Sequence, residues 1–284
     1  MTYSNIFENN IISIYGTKGR IWLKQLPELV ADLSSKWELT NLSVFKNLSH
    51  NYVLSGVKSN QPIVLKIGLD YETLHNEAIA LKHFKGCGTA TVLAEDTGAL
   101  LIQQAVPGIP LKELPGIDNN TKIKICCELT HKLQGSQLKI KHTFPKVGDW
   151  LKALDKNWQI PRVYLTLARK LRDKLLTSHE TQILLHGDLH HDNILKHEEG
   201  WLIIDPKGVI GYPINEVWAY VMDMEKDTKF IAEFFNYNLN TVRHWYFVHL
   251  ILASCWCLED NLNPDKFLNL AIKAYELFNI ASHE

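Results

Sequence analysis

The sequence predicts an α+β chain in which strands come first and helices last. Residues 1–105 form a small, mostly antiparallel sheet lobe and residues 106–284 a larger, mainly helical one. Three observations carry this reading. Short runs rich in Val, Ile, Leu and aromatics follow one another between 39 and 67, separated by polar turns, as in consecutive hairpins. The tetrapeptide Pro107-Gly108-Ile109-Pro110 then breaks the chain sharply. Beyond it, apolar residues recur at helical spacing, apart from one strand–loop–strand segment near 183–205.

Taken in order, Leu26, Leu29, Val30, Leu33 and Trp37 are spaced for a helix over 26–37, with Pro27 in a first-turn position. Strands are expected at 39–45, 52–57 and 63–67, joined by the polar loops Asn47-Leu48-Ser49-His50-Asn51 and Lys58-Ser59-Asn60-Gln61. A helix over 74–84 ends at Gly86-Cys87-Gly88, and strands follow at 90–95 and 100–104. The later helices are expected at 120–133, 147–154, 162–176, 214–224, 230–236, 241–258 and 264–278.

A length of 284 residues with 46% hydrophobic content suits two lobes with a sizeable core. The net charge of −1 offers no electrostatic footprint for a nucleic-acid partner. Residues 1–10 are polar and lack the pattern of a secretory signal. The longest apolar run, 246–258, is broken by His249 and falls short of the roughly 20 residues that span a bilayer, so a core helix and no membrane association are expected. Five cysteines (Cys87, Cys126, Cys127, Cys255 and Cys257) form neither a disulfide framework nor a Cys-x-x-Cys pair. Reduced thiols in a cytoplasmic protein are expected.

The chemistry concentrates in His186-Gly187-Asp188-Leu189-His190-His191-Asp192-Asn193, followed by Trp201-Leu202-Ile203-Ile204-Asp205. This spacing, His-x-Asp-Leu-x-x-x-Asn and then a strand-terminal Asp, is that of a kinase catalytic loop and metal site. Phosphoryl transfer needs few protein groups. Asp188 is placed to take the proton of an attacking hydroxyl, and Asn193 and Asp205 to hold magnesium against the phosphates of ATP. Short strands on either side of the loop should bring the three residues into one cleft.

Such a site also needs a lysine for the phosphates and an acid to hold it. Lys66 is the one cation of the strand Ile63-Val64-Leu65-Lys66-Ile67, and Glu77 follows eleven residues later on a helix. The competing reading is a snorkelling lysine and a solvated glutamate; the downstream loop, in the correct order, favours the pair. Ser49 and the amides around it are the candidates for the phosphate-covering loop, although 47–51 contains no glycine. Gln103 and Ala105, after a buried strand, are the candidates for holding the base through their main chain.

His186 and His190, four apart, invite a zinc reading. A zinc-protease helix requires His-Glu-x-x-His, whereas here the second position is Gly187. His186 is expected to pack beneath the loop and bond backbone near Asp205, and Asp192 to be solvated or to cap the loop.

These residues resemble the aminoglycoside phosphotransferase family, with Gly187 where protein kinases carry arginine. Asp205-Pro206-Lys207-Gly208 is similar to the Asp-Pro-x-Gly element of the streptomycin 6-phosphotransferase and hydroxyurea-kinase branch. The resemblance runs from about residue 41 to the helical C-terminus. It implies a two-lobed protein-kinase-like fold, magnesium-ATP and a small hydroxylated acceptor such as streptomycin. Kinases for choline, homoserine, methylthioribose and ketosamines share this machinery, so a metabolic acceptor stays open. The glycine-free loop departs from the commonest family pattern and is the sole support for a catalytically silent nucleotide-binding protein. No Ala-Pro-Glu anchor or long activation segment follows Asp205, which favours a small molecule over a protein substrate. For a polycationic acceptor the expected carboxylates are Glu216 and Asp223, sharing a side of the 214–224 helix, with Trp218, Tyr220, Trp245 and Trp256 as candidate walls.

Overall fold

The computed structural model describes residues 3–136, 142–177 and 180–280. The elements along the chain are α1 (Asn5–Trp37), β1 (Thr40–Val44), β2 (Tyr52–Lys58), β3 (Gln61–Ile67), α2 (Tyr71–His83), β4 (Val92–Asp96), β5 (Ala99–Gln103) and β6 (Pro107–Pro110). Then come α3 (Asn119–Gln134), α4 (Val147–Trp150), α5 (Arg162–Leu175), β7 (Ile183–Leu185), β8 (Ile194–His197), β9 (Gly200–Ile203) and β10 (Val209–Gly211). The helices α6 (Met224–Phe235), α7 (Leu239–Glu259) and α8 (Asp265–Leu277) complete it.

Two compact units emerge. One holds residues 3–113 together with Asp192–Lys207; the other holds Leu114–Ser136, residues 142–177, 180–191 and 208–280. This division differs from a single boundary at 105/106 because of strand pairing. β6, expected only as a chain break, pairs with β8 at Pro107↔His197 and Pro110↔Leu195, and β8 pairs with β9. The Ala90 N–H also donates to the Ile203 carbonyl at 2.9 Å.

The first unit is built on a five-stranded sheet in the order β1-β2-β3-β5-β4, with each neighbouring pair antiparallel. Successive side chains along a strand face opposite ways. Ile63 and Leu65 therefore pack with Trp22, Leu26, Val30 and Leu33 of α1, while Val64 and Lys66 point to the other face. Each fully buried Leu or Ile contributes about 1.5–3 kcal/mol. A one-residue slip of β3 would forfeit several such contacts at once, so the register is firmly set.

Helix α1 begins 21 residues before its expected start. Ser4 caps it by accepting from the Phe7 N–H at 3.3 Å, and Phe7 and Ile11 are fully buried. The periodicity that would have shown this is interrupted at Gly16, which turns the helix with φ +56°. Pro27 consequently lies inside the helix rather than in its first turn.

In the second unit, α7 is the core helix expected from 246–258, with residues from His244 to Cys255 buried. No described helix is long and apolar enough to cross a membrane. β7 pairs antiparallel with β10 through Val209↔Leu185 and Gly211↔Ile183. The helix expected over 147–154 tightens after α4 into a 3₁₀ turn over Leu151–Asp155. The one expected over 214–224 is a 3₁₀ segment, Pro213–Tyr220, and α6 starts separately at Met224. All five cysteines are free.

Candidate active site

The outer face of β3 and β5 floors a cavity of about 570 Å³ in the first unit. Val53, Val64, Ile102, Leu195 and Ile204 give it an apolar body, and its charged lining residues are Lys46, Lys66 and Asp205. The cavity is polarised by the sheet register. Lys66 pairs with Leu100, and Ile63 with Gln103. The lysine end and the Gln103 end are thus three residues apart along β3, about 10 Å at the rise of a strand.

At the lysine end, Lys66 is only 6% exposed. Its Nζ donates to Glu77 Oε1 at 2.6 Å and to Asp205 Oδ1. Burial alone would lower the ammonium pKa, but the Asp205 and Glu77 carboxylates outweigh it and hold Lys66 above the ordinary lysine range. Burial pushes the Glu77 carboxyl up, and the Lys66 ammonium opposes that shift. Helix α2 delivers Glu77 because its Leu74, Ala78 and Leu81 face the same side of the sheet as Leu100 and Ile102.

Asn193 and Asp205 are brought together by β8 and β9. Ile194 pairs with Ile203, and the Ile204 N–H donates to the Asn193 carbonyl at 3.0 Å, so the two side chains flank the ends of adjacent strands. Asp205 adopts φ +61°, a left-handed conformation that Asp tolerates better than most residues. An Asn amide oxygen and one carboxylate are hard donors suited to magnesium, which keeps few protein ligands and takes others from water and phosphate. Among the described residues no group of three or more His, Cys, Asp or Glu could hold a metal ion.

At the other end, the Gln103 N–H donates to the Thr91 carbonyl at 2.9 Å and the Gln104 N–H to the Pro62 carbonyl at 3.2 Å. The Gln103 N–H is therefore engaged in the sheet edge; its carbonyl and the Ala105 N–H are the groups left to consider for a base. No local sequence pattern signals the clamp behind this segment. His197 Nδ1 accepts from the Val106 N–H at 3.1 Å, and its Nε2 lies 3.1 Å from the Gln103 side-chain amide. Ser49 lines the same cavity as Lys66.

Asp188 belongs to the second unit. Gly187 turns the loop with φ +83°, a conformation that disfavours any side chain. The Asp188 N–H donates to His186 Nδ1 at 3.2 Å, and the Asp188 carbonyl accepts from the His190 N–H at 3.0 Å. His186 is fully buried, as expected of a loop support, and its carbonyl accepts from the Gly208 N–H at 3.2 Å. His186 and His190 lie on a loop rather than on one helical face.

Glu216 is placed differently from the acceptor role expected of it. It is 3% exposed, and its Oε2 accepts from the His186 N–H at 2.6 Å and its Oε1 from the Gly187 N–H at 3.0 Å. A carboxylate with both oxygens taken by backbone amides braces the loop beneath Asp188 and is not available to a ligand. Burial pushes its pKa up to about 7 against the opposing pull of those amides, and Asp188 adds to the rise. Asp223 has a different setting from the one expected, with its side chain 41% exposed. With no continuous 214–224 helix, it is the N-cap of α6, accepting from the Glu225 and Lys226 N–H groups at 3.2 and 3.1 Å. Tyr220 and Trp245 are core residues, 1% and 2% exposed, whereas Trp218 is half-buried and stacks on His249 at 5.2 Å.

Residues 36–233 match the family described as aminoglycoside/hydroxyurea antibiotic resistance kinase, well over half of the chain. The chain belongs to this family. It is a kinase, a phosphotransferase with a small-molecule alcohol as acceptor. It is 25% identical over 218 residues to a streptomycin 6-kinase of Streptomyces glaucescens, covering 72% of this chain and 69% of that one. It is 26% identical over 181 residues to a streptomycin 3''-kinase of Klebsiella pneumoniae, covering 62% and 66%. Among solved structures, a choline/ethanolamine kinase family protein from Mesorhizobium loti superposes with a TM-score of 0.69 at 19% identity, over 91% of this kinase and 97% of that chain. A thermostable mutant of aminoglycoside phosphotransferase APH(4)-Ia, in a ternary complex with AMP-PNP and hygromycin B, gives 0.66 at 14%, over 86% and 97%. The two-lobed kinase-like fold expected from the sequence is the fold these structures share with the kinase.

Proposed function

We propose that this kinase transfers the γ-phosphate of ATP to a hydroxyl of an aminoglycoside of the streptomycin type. The observation that carries the reaction is Lys66, buried between Glu77 and Asp205 at one end of an apolar cavity. A buried ammonium aimed at a polar pocket end is a phosphate ligand with its position fixed in advance. The streptomycin kinases among its relatives support the acceptor class.

In this reading Lys66 holds the phosphates, Glu77 holds Lys66, and Ser49 covers the phosphates. The Gln103 carbonyl and the Ala105 N–H take the base. Asn193 and Asp205 would hold magnesium, which would supply positive charge against the transferring phosphate. Asp188 orients the acceptor hydroxyl and takes its proton. As functional lobes, residues 1–105 carry the nucleotide and residues 106–284 the catalytic loop and acceptor. Dependence on ATP and five free thiols fit a cytoplasmic enzyme.

Glu216 is occupied by backbone amides, whereas the Asp223 side chain is 41% exposed and, of these two carboxylates, is the candidate for a cationic acceptor. Magnesium-dependent ATP turnover across a panel of streptomycin, hygromycin B, hydroxyurea, choline and homoserine is the test. Turnover with streptomycin above the others is the expected result. Turnover confined to choline or homoserine would replace the antibiotic acceptor with a metabolic one, and ATP binding without turnover would point to a silent protein.

A further inference from the structure

We propose that Lys46 is a second cation for the nucleotide phosphates, carried on a loop that helix α1 holds in place. This rests on the nucleotide reading above and explains how a loop without glycine serves it.

The sheet register locates Lys46. The Phe45 N–H donates to the Val53 carbonyl at 3.0 Å, and Val53 pairs with Lys66. Phe45, Val53 and Lys66 thus form one row across three strands, and two strand spacings are about 10 Å. Lys46, the next residue, lines the same cavity as Lys66. It is solvent-exposed, and among the described residues no carboxylate pairs with it.

The charge balance at this end calls for such a cation. The Lys66 ammonium faces two carboxylates, Glu77 and Asp205, which leaves the trio with a net charge of −1. A triphosphate is a polyanion, and Lys46 is the remaining charged residue lining the cavity. Its ammonium offsets the charge of the trio on the cavity wall itself, which Lys207, acting on Glu77 from outside the lining, does not reach.

The loop itself cannot offer the usual alternative. An anion nest of successive amides needs a left-handed residue, and none from 45 to 51 has a positive φ. The loop is instead pinned. Leu48 is 7% exposed and packs in the core shared with α1. Asn10 of α1 donates from Nδ2 to the Ser49 carbonyl at 3.3 Å. The Asn51 side chain lies against Gly68 so closely that a Cβ at position 68 would collide with it. A fixed loop contributes a side-chain cation where a flexible one would contribute amides.

The test is calorimetric binding of ATP and of adenosine, in magnesium chloride, to the full chain and to Lys46→Ala, Lys46→Arg and Lys66→Ala, each checked by thermal melting. Hydrogen bonds to charged groups are worth enough that Lys46→Ala should weaken ATP binding roughly tenfold. Adenosine binding should not change, and Lys46→Arg should recover most of the ATP affinity. An unchanged ATP Kd in Lys46→Ala, with weakened binding in Lys66→Ala, would overturn the role of Lys46 and leave the nucleotide site standing. Equal losses for ATP and adenosine would also overturn it, since the loop would then be supporting the base. No ATP binding by the unmodified chain would overturn both readings.

Discussion

Glu216 offers the sharpest quantitative test of the site, because its carboxylate is buried, ionisable and bonded to the loop that carries Asp188. Its folded pKa is about 7 against an ordinary 4.5, with burial the main cause. Between those values the folded protein keeps a proton that the unfolded chain has released. The stability this proton confers is fully present below pH 4.5 and is lost as pH rises through about 7. Each pH unit of displacement is worth about 1.4 kcal/mol, so the loss sums to roughly 3 kcal/mol. Glu216→Gln has nothing to titrate. The stability of the unmodified protein relative to this variant should therefore fall by roughly 3 kcal/mol between pH 4 and pH 8. Urea unfolding followed by circular dichroism at four or five pH values measures that gap directly. Function should run the other way. Only the ionised carboxylate accepts freely from both the His186 and Gly187 amides, so turnover should fall as pH drops through 7 and be low in Glu216→Gln at pH 8. A stability gap that stays constant with pH, together with full turnover in the glutamine variant, would refute the loop-brace assignment.

Asp188→Asn should remove most turnover while ATP binding stays near normal, as read by steady-state kinetics beside calorimetry; unchanged turnover would remove Asp188 from the proton-transfer role. Lys66→Ala leaves Glu77 buried without its nearest cation and should cost about 3–5 kcal/mol in urea unfolding as well as ATP affinity; a neutral effect on both would contradict the buried pair. His249 is 2% exposed with neither ring nitrogen hydrogen-bonded among the described residues, and burial lowers its pKa to about 3. It folds neutral, so its contribution to stability is present above pH 6.5 and lost as pH falls towards 3. His249→Phe should flatten that acid limb and stabilise the protein by about 1–2 kcal/mol at pH 7, since it removes unpaired buried polar atoms; a lower melting temperature would argue that the histidine has a partner in solution. His197→Ala frees the Val106 N–H and should raise KM for ATP several-fold with kcat little changed, and His197→Asn, which restores an acceptor near Nδ1, should recover part of it.

The reach of the sequence follows the reach of its physical signals. The meeting of Lys66 with Glu77 and Asp205 was legible because the pattern depends on residue type at fixed spacing, and short paired strands convert that spacing into proximity. The first half of α1 was not legible. Its signal is a 3.6-residue period, and Gly16 resets the phase between Ile11 and Trp22. β6 was hidden for a related reason, since Pro107 and Pro110 suppress any strand signal, and only a partner from 90 residues downstream makes the segment a strand. Glu216 shows a further limit. An acidic residue shortly after the metal strand reads as a ligand for something cationic, and no local pattern tells whether solvent or backbone amides will surround it. What decides is burial, set by the 3₁₀ turn of Pro213–Tyr220, which the helical reading missed. That turn ends the segment before Asp223 and directs Glu216 onto the His186 and Gly187 amides. The one element thus places two carboxylates at once, Glu216 beneath the loop and Asp223 as the cap of α6. In this kinase Glu216 serves the geometry of the catalytic loop, and Asp223, at the start of α6, keeps an exposed carboxylate.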